Sequence, residues 1–494
     1  MLSVAEKFIK AFNEKEIRYC HYKGNNHIED GLNGVSDLDI LVDEEQKKLC
    51  TRTLKEAGFV KFKSQLGAAF DVIEDWLSVD GESGSLVHIH LYYQIITGKK
   101  YAQEYRLPWE KHILDTRVQD FNHGGIYITS KEAEFALVYA LMCLKKEKSI
   151  SEKNQQKIDF FKPAADEEKL SEFLHLVMGD EDAEKFKGIL GRYYNMQKTY
   201  DVISKYAVKR HSPFAAELKN RWTEKLIKGK MKLNRKFKKN YTMKKTLYGK
   251  GFSVCFVGAD GSGKSTVSEN IIKWISWKAE AKRFYLGSGD HYSSIWKTIL
   301  RKVGGRKKNV AAPSETPKTE TPKTETSANK KKKFSILSYG IAIINCFNEV
   351  TIAKYKYKTL KQAEKYMNKG GIAVFDRFPQ VQFDGIFDGP KLDFVLKKFP
   401  KSILVNYFYK KERKYLKKAT DEYCPDLLFK LILPPEESIR RKPDHNFKEI
   451  SLKAEITEKL EFPSSQIIKI DATKDFDSEM TEVKNIIWQK IESI

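Results

Sequence analysis

The chain has 494 residues, enough for two or three domains with a buried core in each. Lysine plus arginine number 89 and aspartate plus glutamate 66, so the net charge of +23 favours anionic partners such as nucleotides, nucleic acid or an acidic membrane surface. Six scattered cysteines without a Cys-x-x-Cys pair argue against a zinc site, and the lack of a signal-peptide core or bilayer-spanning run predicts a cytoplasmic protein.

Residues 1–125 are predicted to form an α+β domain that contains a pair of aspartates on a strand. Strand alternation places Asp37 and Asp39 on one face, where they suit a Mg²⁺ ion that carries a nucleoside triphosphate. The alternative is a surface turn that leads into a strand. Together with Gly24, the pair resembles the polymerase-β-like nucleotidyltransferase superfamily, in its poorly characterised bacterial branch. The resemblance implies nucleotidyl transfer with both aspartates as metal ligands.

This domain departs from the superfamily pattern at two positions. Asn25 stands where glycine or serine is usual, and His88 stands where a third carboxylate is expected. Asp71 and Asp75 are candidate substitutes that the sequence does not place. We therefore expect the domain to bind Mg²⁺-nucleotide more readily than it transfers a nucleotidyl group. His88 and His90 share a strand face and are candidate metal ligands, with hydrogen-bonded core histidines as the alternative.

The middle of the chain is predicted to be helical and then strongly basic. Residues 126–208 begin with a capping box at 129–132 and continue as amphipathic helices without a catalytic motif. Residues 209–250 contain many lysines and arginines, interleaved with apolar residues, and only two acids, Glu217 and Glu224. This composition fits a basic helical linker, or else an amphipathic helix that binds an anionic membrane surface or nucleic acid.

A glycine-rich loop at 258–266, GADGSGKST, follows the apolar run 252–257 and precedes a helical pattern. Strand, loop and helix in this order are typical of a phosphate-binding loop. In such a loop Lys264 reaches the β- and γ-phosphates and the Ser265 hydroxyl holds Mg²⁺, so ATP and Mg²⁺ are the predicted cofactors. The predicted nucleotide-binding residues of the loop are Gly258, Asp260, Gly261, Ser262, Gly263, Lys264, Ser265 and Thr266.

Residues 251–494 are predicted to form an α/β domain with a parallel sheet around this loop. The later strands are predicted at 283–286, 372–375, 425–433 and 466–472. One of them delivers Asp376 and Arg377 at its carboxyl end, which faces the ligand crevice in a parallel sheet. A tract rich in proline, threonine and lysine at 304–333 lacks apolar residues and is predicted to be a disordered insertion.

Four segments in register, GADGSGKST, GGIAVFDRF, PDLLFKLILPPEESIRR and IIKIDA, are similar to the thymidylate kinase family of P-loop nucleoside monophosphate kinases. The resemblance implies that Asp376 helps to hold Mg²⁺ or the reacting phosphates and that Arg377 grips the acceptor phosphate. It also implies a lid over ATP that contains Arg440 and Arg441, and an adenine contact near Asp471. The alternative for Asp376 and Arg377 is a salt bridge at the end of a strand. The alternative for Arg440 and Arg441 is a solvated basic helix.

The acceptor side departs from that family. Val257 replaces a glutamate, the segment 287–290 replaces an Arg-Glu-Pro type sequence, and Phe378 replaces a tyrosine. We therefore predict ATP- and Mg²⁺-dependent phosphoryl transfer to a small acceptor, either a nucleoside monophosphate or another metabolite, with thymidylate itself doubtful. The alternatives are nucleotidyl transfer at Asp37 and Asp39 as the main activity, or a nucleotide-gated protein that binds nucleic acid or membrane.

Overall fold

The computed structural model describes residues 1–190, 195–237, 241–287 and 336–494. The described residues form a mixed α/β protein with three sheets and a helical middle, which confirms the predicted fold class. The predicted insertion at 304–333 and the greater part of the segment 287–290 lie outside the described residues. No helix in the described ranges combines the length and apolar character needed to cross a membrane.

The N-terminal half is built on a mixed seven-stranded sheet. Its strands and those of a small neighbouring sheet are β1 Tyr19–His21, β2 Asp37–Val42, β3 Val60–Phe62, β4 Ile73–Val79, β5 Leu86–Tyr92, β6 Ile96–Thr97, β7 Tyr105–Arg106, β8 Val118–Asp120, β9 Ile126–Ile128 and β10 Val208–Lys209. The large sheet has the order β3-β4-β5-β2-β1-β9-β8, and the small one β10-β7-β6. Strand β5 lies parallel to β2 and antiparallel to β4, so polar residues of three strands meet on one face.

Helices flank the large sheet and continue into the helical middle. They are α1 Ser3–Glu14, α2 Ile28–Leu32, α3 Lys47–Glu56, α4 Glu110–Asp115, α5 Lys131–Leu144, α6 Glu152–Phe161, α7 Glu167–Met178, α8 Asp180–Lys187, α9 Met196–Ile203 and α10 Pro213–Phe237. Helix α5 is capped one residue later than the predicted box, because the Ser130 hydroxyl, and not Thr129, accepts a hydrogen bond from the Ala133 amide. Helix α5 is almost entirely buried and forms the centre of this helical layer.

The basic segment ends in contacts with both halves of the molecule. Thr246 forms a backbone bridge with Lys63 of the N-terminal half, and Lys245 forms one with Ala279 of the C-terminal half. Leu247 is buried in the core that the two halves share. The last residues of the predicted linker therefore hold the two halves together rather than only connecting them.

The C-terminal half is a parallel five-stranded sheet. Its strands are β11 Ser253–Gly258, β12 Ala281–Arg283, β13 Ile372–Phe375, β14 Leu427–Ile432 and β15 Gln466–Asp471, in the order β12-β13-β11-β14-β15. Strand β12 is earlier than predicted: its pairing with β13 ends at Arg283, and the apolar residues Phe284 and Leu286 are buried beyond the sheet ladder. The glycine loop follows the central strand, β11.

Helices cover both faces of this sheet. They are α11 Lys264–Ile275, α12 Ile336–Met367, α13 Asp393–Lys398, α14 Ile403–Glu422, α15 Pro435–Arg441, α16 Phe447–Lys459 and α17 Phe476–Glu492. Helix α17 contributes Trp488, which stacks on Phe62 of β3 with ring centroids 6.4 Å apart. Leu77 and Leu86 of the N-terminal sheet belong to the same buried cluster, so one apolar core joins the two halves.

Candidate functional sites

The glycine loop between β11 and α11 has the backbone of a phosphate cradle. Gly261 and Gly263 have φ values of +90° and +85°, in the left-handed region that side chains disfavour. The loop ends at Lys264, the first residue of α11, so backbone amides converge at a helix N-terminus. An N-terminus of this kind favours an anion through its dipole and its unpaired N–H groups.

Lys264 lies within this loop. Its ammonium group donates a hydrogen bond to the carbonyl of Ala259 at 2.7 Å. Burial lowers the pKa of Lys264 from 10.5 to about 8, because the charged form loses hydration that Asp260 only partly replaces. A phosphate oxygen beside this ammonium would restore the lost stabilisation of the charge.

Asp376 follows β13 and is 3% exposed. Its Oδ2 pairs with the guanidinium of Arg283, while its buried Oδ1 has no hydrogen-bond partner among the described residues. A buried carboxylate oxygen without a partner is uncommon and fits a site for a cation. Ser265 lies exposed on the first turn of α11, so a serine hydroxyl and a carboxylate are available for Mg²⁺.

A cavity of about 240 Å³ brings three predicted catalytic residues together, because Lys264, Asp376 and Arg377 all line it. Arg377 is 50% exposed and lies 4.0 Å from Asp388. Asp388 in turn accepts a hydrogen bond from the buried ammonium of Lys356 at 2.8 Å. The cavity therefore has phosphate-loop groups on one side and a mixed charged network on the other.

The predicted lid residues lie outside this cavity. Arg440 and Arg441 both bond to Glu437, and Arg441 also donates to the carbonyl of Ala472 at 3.0 Å. Asp471 is exposed at the end of β15, where its carboxylate accepts hydrogen bonds from Thr473. Their roles as lid and adenine contact remain predictions.

Sequence reasoning missed two cations that serve this site. Lys453 of α16 pairs with Asp260 of the loop at 2.6 Å and lines the cavity. Arg283 of β12 holds Asp376. Neither residue belongs to a recognisable motif, and both reach the site only through the packing of distant segments.

A second and larger cavity, of about 950 Å³, opens beside the N-terminal aspartates. Strand pairing sets Asp37 opposite His88 and Asp39 opposite His90. The antiparallel neighbour β4 sets Asp75 opposite His90 as well. Of the two candidates, Asp75 therefore lies beside the aspartate pair, whereas Asp71 pairs with Arg210. The role of Asp75 as a third carboxylate stays a prediction. We call Asp37, Asp39, Asp75, His88 and His90 the carboxylate–histidine cluster.

The two imidazoles connect the three carboxylates. His88 Nδ1 lies 2.8 Å from Asp37 and its Nε2 lies 3.0 Å from Asp75. His90 Nε2 lies 3.0 Å from Asp75 and its Nδ1 lies 3.5 Å from Asp39. Burial lowers the pKa of His88; burial also opposes the charge on His90, but hydrogen bonds to Asp39 and Asp75 raise its pKa to about 9.

Lysines from three parts of the chain approach the cluster. Lys23 lies 3.5 Å from Asp39, Lys245 lies 3.6 Å from Asp75, and Lys278 pairs with Asp37. Lys278 follows the phosphate-loop helix α11, so the C-terminal half contributes directly to the N-terminal site. More distant lysines that line the same cavity are Lys100, Lys145, Lys153 and Lys157.

Gly24, the glycine of the predicted motif, has a left-handed backbone with φ +83°. In the structure its amide donates to the carboxylate of Glu134, which also accepts from the Asn25 amide. Burial raises the pKa of Glu134 to about 7. Helix α5, in the middle of the chain, therefore holds the glycine turn in place through Glu134. No local motif in the sequence predicts this contact.

Comparison with known proteins gives relatives but no family assignment, and no protein-family model matches the chain. Uncharacterized ATP-binding protein YghR of Escherichia coli K12 is 26% identical over 237 residues, which are 47% of this chain and 86% of the relative. Uncharacterized ATP-binding protein YghS of the same strain is 26% identical over 224 residues, 44% of this chain and 84% of the relative.

Among solved structures, deoxyadenosine kinase from M. mycoides with bound dATP aligns with a TM-score of 0.27 and 12% identity. The alignment covers 48% of this chain and 98% of that protein. The same enzyme with bound dCTP gives a TM-score of 0.26 and 14% identity over 49% of this chain. A TM-score this low carries no weight for the fold or the function of the chain.

Proposed function

We propose that residues 251–494 form a phosphotransferase that moves the γ-phosphate of ATP to a small acceptor, with Mg²⁺ as cofactor. The observation that carries this proposal is the convergence of Lys264, Asp376 and Arg377 on one cavity at the carboxyl ends of β11 and β13. Two relatives named as ATP-binding proteins support the nucleotide. The similarity to thymidylate kinase motifs supports the reaction class.

The residues of the cavity divide the chemistry between them. Lys264 and the loop amides would hold the β- and γ-phosphates. Lys453 would fix the side chain of the loop residue Asp260 through their ion pair. Asp376 and Ser265 would hold Mg²⁺, which offsets charge on the transferring phosphoryl group. Arg377, exposed beside Asp388, would bind an anionic acceptor through its planar guanidinium.

The acceptor side of the cavity also has an apolar wall. Phe378, Ile386 and Phe387 line it next to the charged residues. Phe387 and Asp388 have positive φ values of 46° and 61°, which non-glycine residues rarely adopt. A wall of this kind suits an acceptor with a ring or other apolar part and an anionic or hydroxyl group, as in a nucleoside monophosphate.

The test is ATP turnover by the purified full chain against a panel of nucleosides, nucleoside monophosphates and phosphorylated sugars. Lys264→Ala should reduce turnover by roughly 10²–10³, as removal of one preorganised charge from such a site does. Lys273→Ala, at an exposed position of the same helix, is the matched control and should retain turnover. Acceptor-dependent turnover that survives Lys264→Ala would exclude this cavity as the site.

A second candidate function is Mg²⁺-nucleotide binding or nucleotidyl transfer at Asp37 and Asp39. The position of Asp75 favours it, because a third carboxylate lies beside the pair in a cavity of about 950 Å³. The assay uses Lys264→Ala protein, so that the phosphate loop does not contribute, and compares it with added Asp37→Asn and Asp39→Asn. Transfer that depends on both aspartates would make the chain a two-enzyme fusion.

A third candidate rests on helix α10, whose apolar side chains Phe214, Leu218, Trp222 and Leu226 are 46–79% exposed. They recur every four residues and form one stripe along the helix. Lysines and arginines outnumber the two glutamates of this helix. We propose that the stripe binds an anionic membrane surface, because basic amphipathic helices do so through combined apolar burial and charge attraction.

A further inference from the structure

We propose that Asp37, His88 and His90 bind a divalent transition-metal ion, with Zn²⁺ preferred over Mn²⁺ and both preferred over Mg²⁺. Each residue offers one ligand atom, and these three atoms lie within 4.8 Å of one another. The residues come from two adjacent parallel strands, where register fixes their spacing. The inference is independent of phosphoryl transfer at the phosphate loop.

The donor set determines which metal fits. Mg²⁺ prefers six oxygen ligands in an octahedron, whereas imidazole nitrogen suits zinc and neighbouring transition metals. Here His88 stands where a third carboxylate was expected, so two nitrogens and one carboxylate oxygen face one point. Two histidines and one carboxylate are the ligands of a common catalytic zinc site.

The surrounding carboxylates orient both imidazoles. Nδ1 of His88 lies 2.8 Å from the proposed ligand Asp37, and its other nitrogen lies 3.0 Å from Asp75. In His90, Nε2 lies 3.9 Å from Asp37, and the other nitrogen lies 3.5 Å from Asp39. Imidazoles that bind metals usually have a carboxylate beside the second nitrogen, which fixes the ring and raises its basicity.

Asp75 has a second contact, because its Oδ1 also lies 3.0 Å from His90 Nε2. Metal binding would exchange that contact for coordination, or would add Asp75 as a fourth ligand. Both outcomes keep a carboxylate next to the ion. His88 is fully buried, while the side chains of Asp37 and His90 are 27% and 26% exposed, toward the cavity. The ion would therefore keep open positions for water or a phosphate oxygen.

Three ammonium groups compete with a metal for the cluster: Lys278 at Asp37, Lys23 at Asp39 and Lys245 at Asp75. Lys278 is the direct competitor, because it pairs with the proposed ligand. The other two lysines pair with carboxylates that orient the imidazoles.

The experiment is a calorimetric titration of the full chain, freed of metal by a chelator, with Zn²⁺, Mn²⁺ and Mg²⁺ in turn. We expect one Zn²⁺ ion to bind per chain. The affinity should be highest for zinc, lower for manganese and lowest for magnesium. His90→Ala and Asp37→Asn should abolish the tight zinc site, and Asp75→Asn should weaken it about 10–100-fold. Cobalt as a coloured probe should report nitrogen ligation in the wild type and lose that signature in His90→Ala.

His123→Ala is the matched control, since His123 also lies between two acids, Asp120 and Glu29, outside the cluster. It should bind zinc like the wild type. Circular dichroism of each variant tests whether it is folded. His90 is the histidine chosen for substitution because it is partly exposed, whereas a change at the buried His88 could unfold the protein. Zinc binding no tighter than magnesium binding, or tight binding that persists in folded His90→Ala and Asp37→Asn, would overturn the proposal and leave a hydrogen-bonded histidine pair.

Discussion

The ammonium group of Lys278, shortly after the phosphate-loop helix, forms an ion pair with Asp37 of the N-terminal sheet. The lysine side chain is 16% exposed and that of the aspartate 27%, so water screens the pair only partly. A residue of the C-terminal half thereby contributes a positive charge to the carboxylate–histidine cluster of the N-terminal half.

Lys278→Ala should tighten divalent-metal binding at the carboxylate–histidine cluster by roughly three- to tenfold. The mutation removes a competing cation, and an ion pair of this kind is worth about 1 kcal/mol. Titration of zinc into the two metal-free proteins measures the change, with Lys273→Ala as the control on the neighbouring helix. Weaker metal binding in Lys278→Ala would show that the lysine organises the cluster rather than competing for it.

Arg377→Ala should raise the KM for the acceptor about 10–100-fold and leave the KM for ATP nearly unchanged. A charge-assisted hydrogen bond contributes about 1.5–3 kcal/mol, and the half-exposed Arg377 lines the cavity in which we propose that the acceptor binds. Steady-state kinetics with each substrate varied in turn separate the two effects. Arg52→Ala, at an exposed arginine of α3 in the other half of the molecule, is the control. A selective rise in the KM for ATP would assign Arg377 to the donor instead.

Glu134 should make the stability of the protein depend on pH. Burial raises its pKa from 4.5 to about 7, so the folded state holds a proton that the unfolded state releases. Its contribution is therefore fully present below pH 4.5 and is lost as the pH rises through 7, by up to about 3 kcal/mol.

Glu134→Gln removes this titration. The free energy of unfolding, measured by urea at pH 5 and pH 8, should shift in favour of the variant at the higher pH. Glu167→Gln, at an exposed position of α7, should show no such shift relative to the wild type. A constant difference between Glu134→Gln and wild type at both pH values would contradict the expectation.

Helix α10 should hold the protein on vesicles that contain phosphatidylserine and not on neutral vesicles. The fraction of protein that sediments with the vesicles should fall steeply as the salt concentration rises, because salt screens the attraction between the basic helix and the anionic lipid. Trp222→Ser should reduce binding, while Leu176→Ser, which replaces a similarly exposed leucine of α7, should not. Binding to single-stranded nucleic acid without binding to vesicles would identify the other anionic partner.

The phosphate loop could be predicted because its information is local. Strand, glycines and helix are contiguous, and Asp376 and Arg377 directly follow a strand that the apolar pattern marks. The carboxylate–histidine cluster could be predicted only in part. Asp37 and Asp39 share a strand, but choosing Asp75 over Asp71 requires the pairing of β4 with β5, which no local pattern specifies.

The cations were the least predictable part of both sites. Lys278, Lys245 and Lys453 belong to helices or connections whose sequences show only a basic surface. Each acquires its partner through tertiary packing, and in a chain with 89 lysines and arginines no pattern distinguishes them from solvated residues. Glu134 was hidden in the same way, since its capped helix predicts packing and not a contact with Gly24.

The stack of Phe62 on Trp488 lies in an apolar core that residues of both halves share, so we expect the two halves to fold as a single cooperative unit. An N-terminal fragment that stopped before the phosphate loop would present Phe62, Leu77 and Leu86 to water, and exposed apolar patches of this kind promote aggregation. The intact chain should therefore unfold in one thermal transition, although its sequence divides readily into separate domains. A ligand that stabilises either site would then protect the whole chain from unfolding, and proteolysis at one end would be slowed by a molecule bound at the other.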